Sequence, residues 1–195
     1  MNALILDWDG VFHDGRKTEN GASSFSELDS MGLNLLRFGH FLQHGSVLPV
    51  AIVTGEKNPT AEFFAQREHI HHFFFHAKDK TLAIAPLEKA WRSSVEDWGF
   101  VFDDVLDFEL ASKVGLRAMV QREACEETYH FAVNQGLVDW TLDADHAIRR
   151  FAEKYLTEAG TWEAVLEGRM SMSAEYTAYW EARQSIITQS MDLGS

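Results

Sequence analysis

The stretch LILDWDGVFHDG, residues 4 to 15, ends an apolar run with two carboxylates, Asp7 and Asp9, on either side of one tryptophan, with Gly10 directly behind. Like charges so close repel each other, and a turn alone does not require them. A carboxylate can serve as a nucleophile, and a second one beside it as general acid and base. Three further stretches carry groups that suit such a centre. LPVAIVTG closes on Thr54 and Gly55, HFFFHAKDK runs through His76 to Lys80, and FVFDD ends in Asp103 and Asp104. Singly each is a weak signal, since D-x-D-G and Thr-Gly both arise often by chance. Their order along the chain is what gives them weight.

The elements that must position these residues are legible as short apolar runs alternating with helix-period segments. Residues 3–7, 48–55, 72–76, 100–104 and 116–120 read as buried strands. Between them, Leu33, Leu36 and Phe41 or Leu42 fall on one helical face that stops at Gly45, and Pro59 sits in the first turn of the next helix. Helical patterns over residues 78–91 and 106–115 complete the series. This alternation predicts an α/β fold of three layers, a Rossmann-like parallel sheet with helices on both faces. Ligands of such sheets sit at the carboxyl ends of the strands, where all four motifs then converge.

Composition narrows the partners. Seventeen basic against thirty acidic residues give a formal charge of -13, which disfavours nucleic acid and anionic membrane surfaces. One cysteine, Cys125, excludes an intrachain disulfide, and the apolar part of MNALILDWDG is too short for a signal peptide or a membrane span. A cytoplasmic protein is expected. With 195 residues and 46% hydrophobic content, the chain can bury one substantial core. Residues 1–157 read as that core. Residues 158–195, where Tyr176, Tyr179 and Trp180 recur at helical spacing, read as a C-terminal helical extension packed on it or on a neighbouring subunit.

Taken in order, DWDGVFHDG, VAIVTGEKN, AKDKTLAI and VFDDVLDFELASKVGL resemble the motifs of the haloacid dehalogenase superfamily. More narrowly, they resemble its capless branch containing 3-deoxy-octulosonate 8-phosphate phosphatase. The likeness runs from about Asn2 to about Tyr155. It implies a core with a small β-hairpin flap and no cap domain, acting as a Mg2+-dependent phosphatase on a small phosphorylated sugar or sugar acid. Under that resemblance Asp7 is the nucleophile that becomes an aspartyl phosphate, and Asp9 protonates the leaving alkoxide and then activates water. Thr54 and the Gly55 N–H hold a phosphoryl oxygen, and Lys80 balances its charge. The metal would take the Asp7 carboxylate, the Asp9 carbonyl and Asp103, with Asp104 or Asp107 as a further ligand or hydrogen-bond acceptor. Hexose-phosphate mutases of the superfamily need a cap for which the spacing leaves no room, so hydrolysis of a monoester fits best. The branch assembles as tetramers, and a homotetramer with the flap at a subunit contact is expected.

Departures from the branch pattern are equally visible. The arginine usual after Thr-Gly is Glu56, a second expected arginine is Leu28, the flap threonine is His13, and the glycine before the acidic pair is Phe102. Glu56 would repel a substrate carboxylate where arginine would clasp it. The pocket is expected to include Gly55, Glu56, His13 and His76. The alternative reading is a superfamily member with weakened catalysis that serves as a binding or assembly module. His69, His71 and His72 lack metal-site spacing, and Cys125 sits in an acidic run that disfavours a thiolate.

Overall fold

A computed structural model describes residues 1–194. Strands β1 (Ala3–Leu6), β2 (Val50–Val53), β3 (His72–Phe75), β4 (Trp98–Phe102), β5 (Leu116–Gln121), β6 (Trp140–Asp143) and β7 (Gln189–Asp192) form one sheet. Its order is β6-β5-β4-β1-β2-β3-β7, and every neighbouring pair is parallel. The helices are α1 (Glu27–His44), α2 (Pro59–Arg67), α3 (Ile84–Trp91), α4 (Phe108–Ala111), α5 (Glu126–Asn134), α6 (Ala147–Glu158), α7 (Trp162–Ser171) and α8 (Ala174–Gln184).

Strand alternation divides the core in two. Leu4, Leu6, Val50, Ile52, Phe73 and Val101 face the layer that contains α1, α2, α6, α7 and α8. Ala3, Ile5, Ala51, Val53, Phe74 and Phe100 face the layer of α3, α4 and α5. The central strands are buried throughout, as a parallel sheet covered on both faces demands. The Ser26 side chain accepts the Leu28 N–H at the start of α1, and Gly45 at φ 68° ends that helix where the sequence places the terminator.

The five expected strands are present, and two more flank them. Edge strand β6 and the wholly exposed β7 are polar and short, so neither carries an apolar run to read. The segment after α6 contains the expected helices α7 and α8, with Tyr176 and Tyr179 packed on Phe38 at 5.0 and 5.5 Å between ring centres. It then returns to the sheet, where β7 pairs with β3.

The flap departs from the expected hairpin. Residues 10–25 contain no strand, only one isolated bridge between Asp9 and His13. Their order comes from side chains instead. Trp8, fully buried, stacks on Phe12 at 4.5 Å and donates to Ser23 Oγ at 2.9 Å. Ser23 Oγ also accepts from Asn58, whose side chain caps α2, so the flap is tied to the N-terminus of that helix.

Candidate active site

The carboxyl ends of β1, β2, β4 and β5 open on a cavity of about 500 Å³. Trp8 is buried in the core, and Asp7 and Asp9 on either side of it both line the cavity. At its floor, Lys80 Nζ lies 2.5 Å from a carboxylate oxygen of Asp7 and 2.5 Å from one of Asp107. Lys80 begins the 3-10 turn Lys80–Ala83, and Asp107 closes the turn Val105–Asp107 that follows β4. All three side chains are buried. Asp103 completes the group: one oxygen from each of Asp7, Asp103 and Asp107 falls within 4.8 Å of the others.

One ammonium cannot balance three carboxylates, two of them buried and Asp103 half-buried. Burial pushes the Asp7 carboxyl up to about 7, against the pull of Lys80. Burial, and then Asp7 and Asp107, push Asp103 up to about 8. Burial alone would lower the Lys80 ammonium, but Asp107 and Asp7 outweigh it and hold it above its usual value. An all-carboxylate donor set with excess negative charge is the chemistry that fits a hard divalent cation.

The cation's expected effect on stability follows from these shifts. An aspartate that ionises near 3.8 in the unfolded chain but only at about 7 or 8 in the fold stabilises the metal-free fold at low pH and loses that contribution as pH rises through its folded value. His71, held down to about 3 by burial, works the other way only below its ordinary value of 6.5. Between about pH 6.5 and 8.5 the metal-free protein should therefore lose stability, and Mg2+ should raise Tm more at the upper end than at the lower. Thermal unfolding with and without Mg2+ measures this, and a larger rise at the acid end would contradict it.

Asp104, expected as a ligand, does not join the group. Its exposed side chain accepts the Val105 N–H and caps the turn Val105–Asp107, while Asp107 accepts from the backbone N–H groups of Asp103 and Asp104. Asp107 is the acid four residues after Asp103, and the D-x-x-D spacing of a capping turn is its signal in the sequence. Asp107→Asn should weaken metal binding by about 10- to 100-fold. Asp104→Asn should leave it within about twofold; calorimetric titration with Mg2+ separates the two, and equal losses would return Asp104 to the site.

Thr54 ends β2 fully buried, and its hydroxyl has no hydrogen-bond partner, a donor left free. Gly55 and Glu56 line the cavity, and Glu56 is closely paired with Lys78. Gly10 is at φ 85°, and a β-carbon on it would overlap the Asp103 carboxylate. Phe102, where the branch has glycine, is buried under the sheet end in the layer of α3 to α5.

The other expected contacts are displaced. His13 is buried beside Asp9 rather than on the cavity wall, its Nε2 3.0 Å from Asp9 Oδ1 and its Nδ1 accepting the Gly15 N–H. Lys17 holds the second Asp9 oxygen at 2.8 Å. Burial favours a raised value for Asp9, but these bonds from His13 and Lys17 win and hold it below the usual carboxylate range. His76, at φ 55°, turns to Asp192 of β7 at 3.0 Å and does not line the cavity.

Sequence reasoning did not find Arg122. It follows β5 directly, donates to the carbonyls of Gly10 and of His13 (3.0 Å), and forms one wall with Ala124 and Cys125. Among the described residues it is the one cationic side chain lining the cavity without a carboxylate partner, since Lys78 pairs with Glu56 and Lys80 with Asp7 and Asp107. The strand-end rule that located the other motifs, applied to residues 116–120, points straight to it.

No family model matches the chain. It is 31% identical over 124 residues to the 3-deoxy-D-manno-octulosonate 8-phosphate phosphatase KdsC of Escherichia coli (strain K12) and 30% identical to that of Salmonella typhi. The match covers 62% of the chain, and the chain spans 62% of the length of these curated relatives. Among solved structures, one described as a HAD superfamily (subfamily III A) hydrolase from Legionella pneumophila is 25% identical with a TM-score of 0.70, covering 88% of this chain and 90% of its own. The 3-deoxy-D-manno-octulosonate 8-phosphate phosphatase from Moraxella catarrhalis, in complex with a magnesium ion, a phosphate ion and a KDO molecule, is 22% identical with a TM-score of 0.69, over 86% and 92% of the two chains. The latter likeness is one of fold.

Proposed function

We propose that this chain, which resembles the haloacid dehalogenase superfamily in its fold and in the order of its motifs, is a Mg2+-dependent phosphatase of a small sugar-acid phosphate. The observation that carries the reading is the group of buried Asp7, Lys80 and Asp107 with half-buried Asp103 at the strand ends, facing a cavity wide enough for a phosphorylated sugar. The names of the curated relatives supply the substrate class. Asp7, Asp103 and Asp107, with the Asp9 carbonyl, would hold the cation, which when bound offsets charge on the phosphoryl oxygens.

In this mechanism an oxygen of Asp7 attacks phosphorus, and the P–O bond to the leaving alkoxide breaks. Lys80 favours the ionised form of Asp7 against the effect of burial and orients it at the cavity floor. Thr54 donates its free hydroxyl to a phosphoryl oxygen. Asp9, protonated once the substrate has displaced Lys17 and His13 from it, gives that proton to the departing alkoxide and then takes one from the water that cleaves the aspartyl phosphate. To do so it must exchange its bonds to Lys17 and His13 for the substrate.

Arg122 is assigned to the substrate carboxylate, the part of a sugar acid that a phosphate pocket does not recognise. The repulsion expected from Glu56 is reduced by its pairing with Lys78. Assays of phosphate release from 3-deoxy-octulosonate 8-phosphate and from neutral sugar phosphates test both points. Arg122→Gln should raise KM for the acid substrate by about tenfold or more while leaving the neutral ones nearly unchanged. Equal losses for both would make Arg122 a holder of the flap alone, and a wild-type preference for neutral sugars would overturn the substrate class.

Assembly as a homotetramer completes the reading. Val105 and Leu106 are largely exposed, Leu106 on the cavity wall, and the flap is a loop that leaves the cavity open. A neighbouring subunit over this mouth would bury both and exclude water from the reaction.

A further inference from the structure

A second cleft lies where α1, α2, α7 and α8 meet, and nothing in the phosphatase mechanism uses it. It encloses about 360 Å³ and is lined by Ser30, Asn34, Arg67, Arg169, Trp180 and Arg183, among others. Helix α2 runs from its cap Asn58, beside the flap, towards β3 and ends at Arg67, so the cleft sits at the amino edge of the sheet, away from the catalytic edge.

Charge in this cleft runs against that of the whole chain. Arg67 spends its guanidinium on Glu27 (2.6 and 2.7 Å) and on Glu68 (2.8 Å). Arg183, only 3% exposed, spends one nitrogen on the other Glu68 oxygen at 2.5 Å and a second on Gln184, and its Nε has no partner. Glu68 is thereby saturated. Arg169 is left with a methionine sulfur, Met172 at 3.2 Å, as its polar contact; its Nε is likewise unpartnered, and no carboxylate among the described residues pairs with it. Behind the cleft, Arg37 is buried against the carbonyls of Glu68 and His69 with no carboxylate of its own, and burial pulls it down to about 10. Four arginines therefore meet two glutamates in a protein whose formal charge is -13. Tyr176 and Trp180 hold the guanidinium planes of Arg169 and Arg183 at 4.9 and 4.7 Å, which fixes them without neutralising them.

We propose that this cleft binds a small oxyanion, a phosphate or carboxylate group, between Arg169 and Arg183. Unbalanced guanidinium groups in a partly buried cleft are costly unless an anion joins them, and their planar forks match phosphate and carboxylate alike. An anion there would join α7 and α8 to α1 and α2, tying the C-terminal segment to the core.

The test uses the full chain in excess chelator, where the acidic catalytic cluster repels anions. Inorganic phosphate and malonate are titrated separately, and binding is followed by calorimetry and by the NMR signals of the arginine Nε–H groups. The expected result is saturable binding of at least one anion, with shifts at Arg169 and Arg183; the tighter anion names the source. Arg169→Gln, which breaks no ion pair, should weaken that binding by about tenfold or more, whereas Thr54→Val, at the catalytic edge of the sheet, should not change it. Absence of saturable binding of either anion, an unchanged affinity in Arg169→Gln, or loss of binding in Thr54→Val would each overturn the proposal.

Discussion

Asp7→Asn should abolish phosphatase activity, a fall of at least about 10³-fold in kcat, while the protein stays folded. The amide is a poor nucleophile and lacks the carboxylate oxygen that the mechanism bonds to phosphorus. The side chain keeps its shape in a buried position, and one carboxylate fewer beside Asp103 and Asp107 relieves repulsion in the metal-free site. Lys80 retains Asp107 at 2.5 Å, so the variant does not leave a buried ammonium unpaired. The metal-free variant should accordingly be no less stable than wild type by thermal unfolding. Turnover within tenfold of wild type would remove Asp7 from the nucleophile's role.

Gly10→Ala should be severely damaging to the site. At φ 85° any L-residue is strained, by about 1–3 kcal/mol, and the new β-carbon would occupy the space of the Asp103 carboxylate. Either the turn opens, carrying Asp9 and the carbonyl held by Arg122 out of register, or Asp103 is expelled from the group it forms with Asp7 and Asp107. Both routes should reduce kcat/KM by at least about 10²-fold and weaken metal binding together with it. Gly15→Ala is the control. It is also at positive φ, 83°, but nothing lies within 4 Å of its β-position, so it should cost stability with little effect on the metal. If the two variants lose activity equally, backbone strain accounts for the effect and the close approach to Asp103 does not.

The centre of the sheet was legible because its strands are continuous apolar runs, and the strand-end rule then brought Asp7, Thr54, Lys80 and Asp103 to one edge. The edges were not. Strand β6 buries only Leu142 and β7 is exposed throughout, so neither carries enough burial to impose a pattern, and β7 joins the sheet by pairing with β3. The flap misled because its order resides in Trp8, Ser23 and Asn58, residues distant in sequence and joined by side-chain bonds that no strand period reveals. His13 and His76 were placed in the pocket by their position beside the motifs. Each instead meets an acid, Asp9 or Asp192, and the second of these comes from the far end of the chain. Asp104 and Asp107 are a case of register. Both follow β4, and only the turn after Asp104 decides that the second points inward and the first out to its cap. The arginine cleft was hidden for the same reason as β7, since Arg67, Arg169 and Arg183 belong to three helices that only the folded chain assembles.

The central claim is that Asp7 forms a covalent bond to phosphorus, and acid quenching tests it most directly. The protein is mixed with Mg2+ and a substrate labelled in its phosphoryl group, quenched in acid on the millisecond scale, and digested. The account predicts label on the peptide containing Asp7, rising and then decaying as free phosphate appears, and absent from Asp7→Asn. Release of phosphate with no label on the protein at any time, or label on another residue, would contradict it.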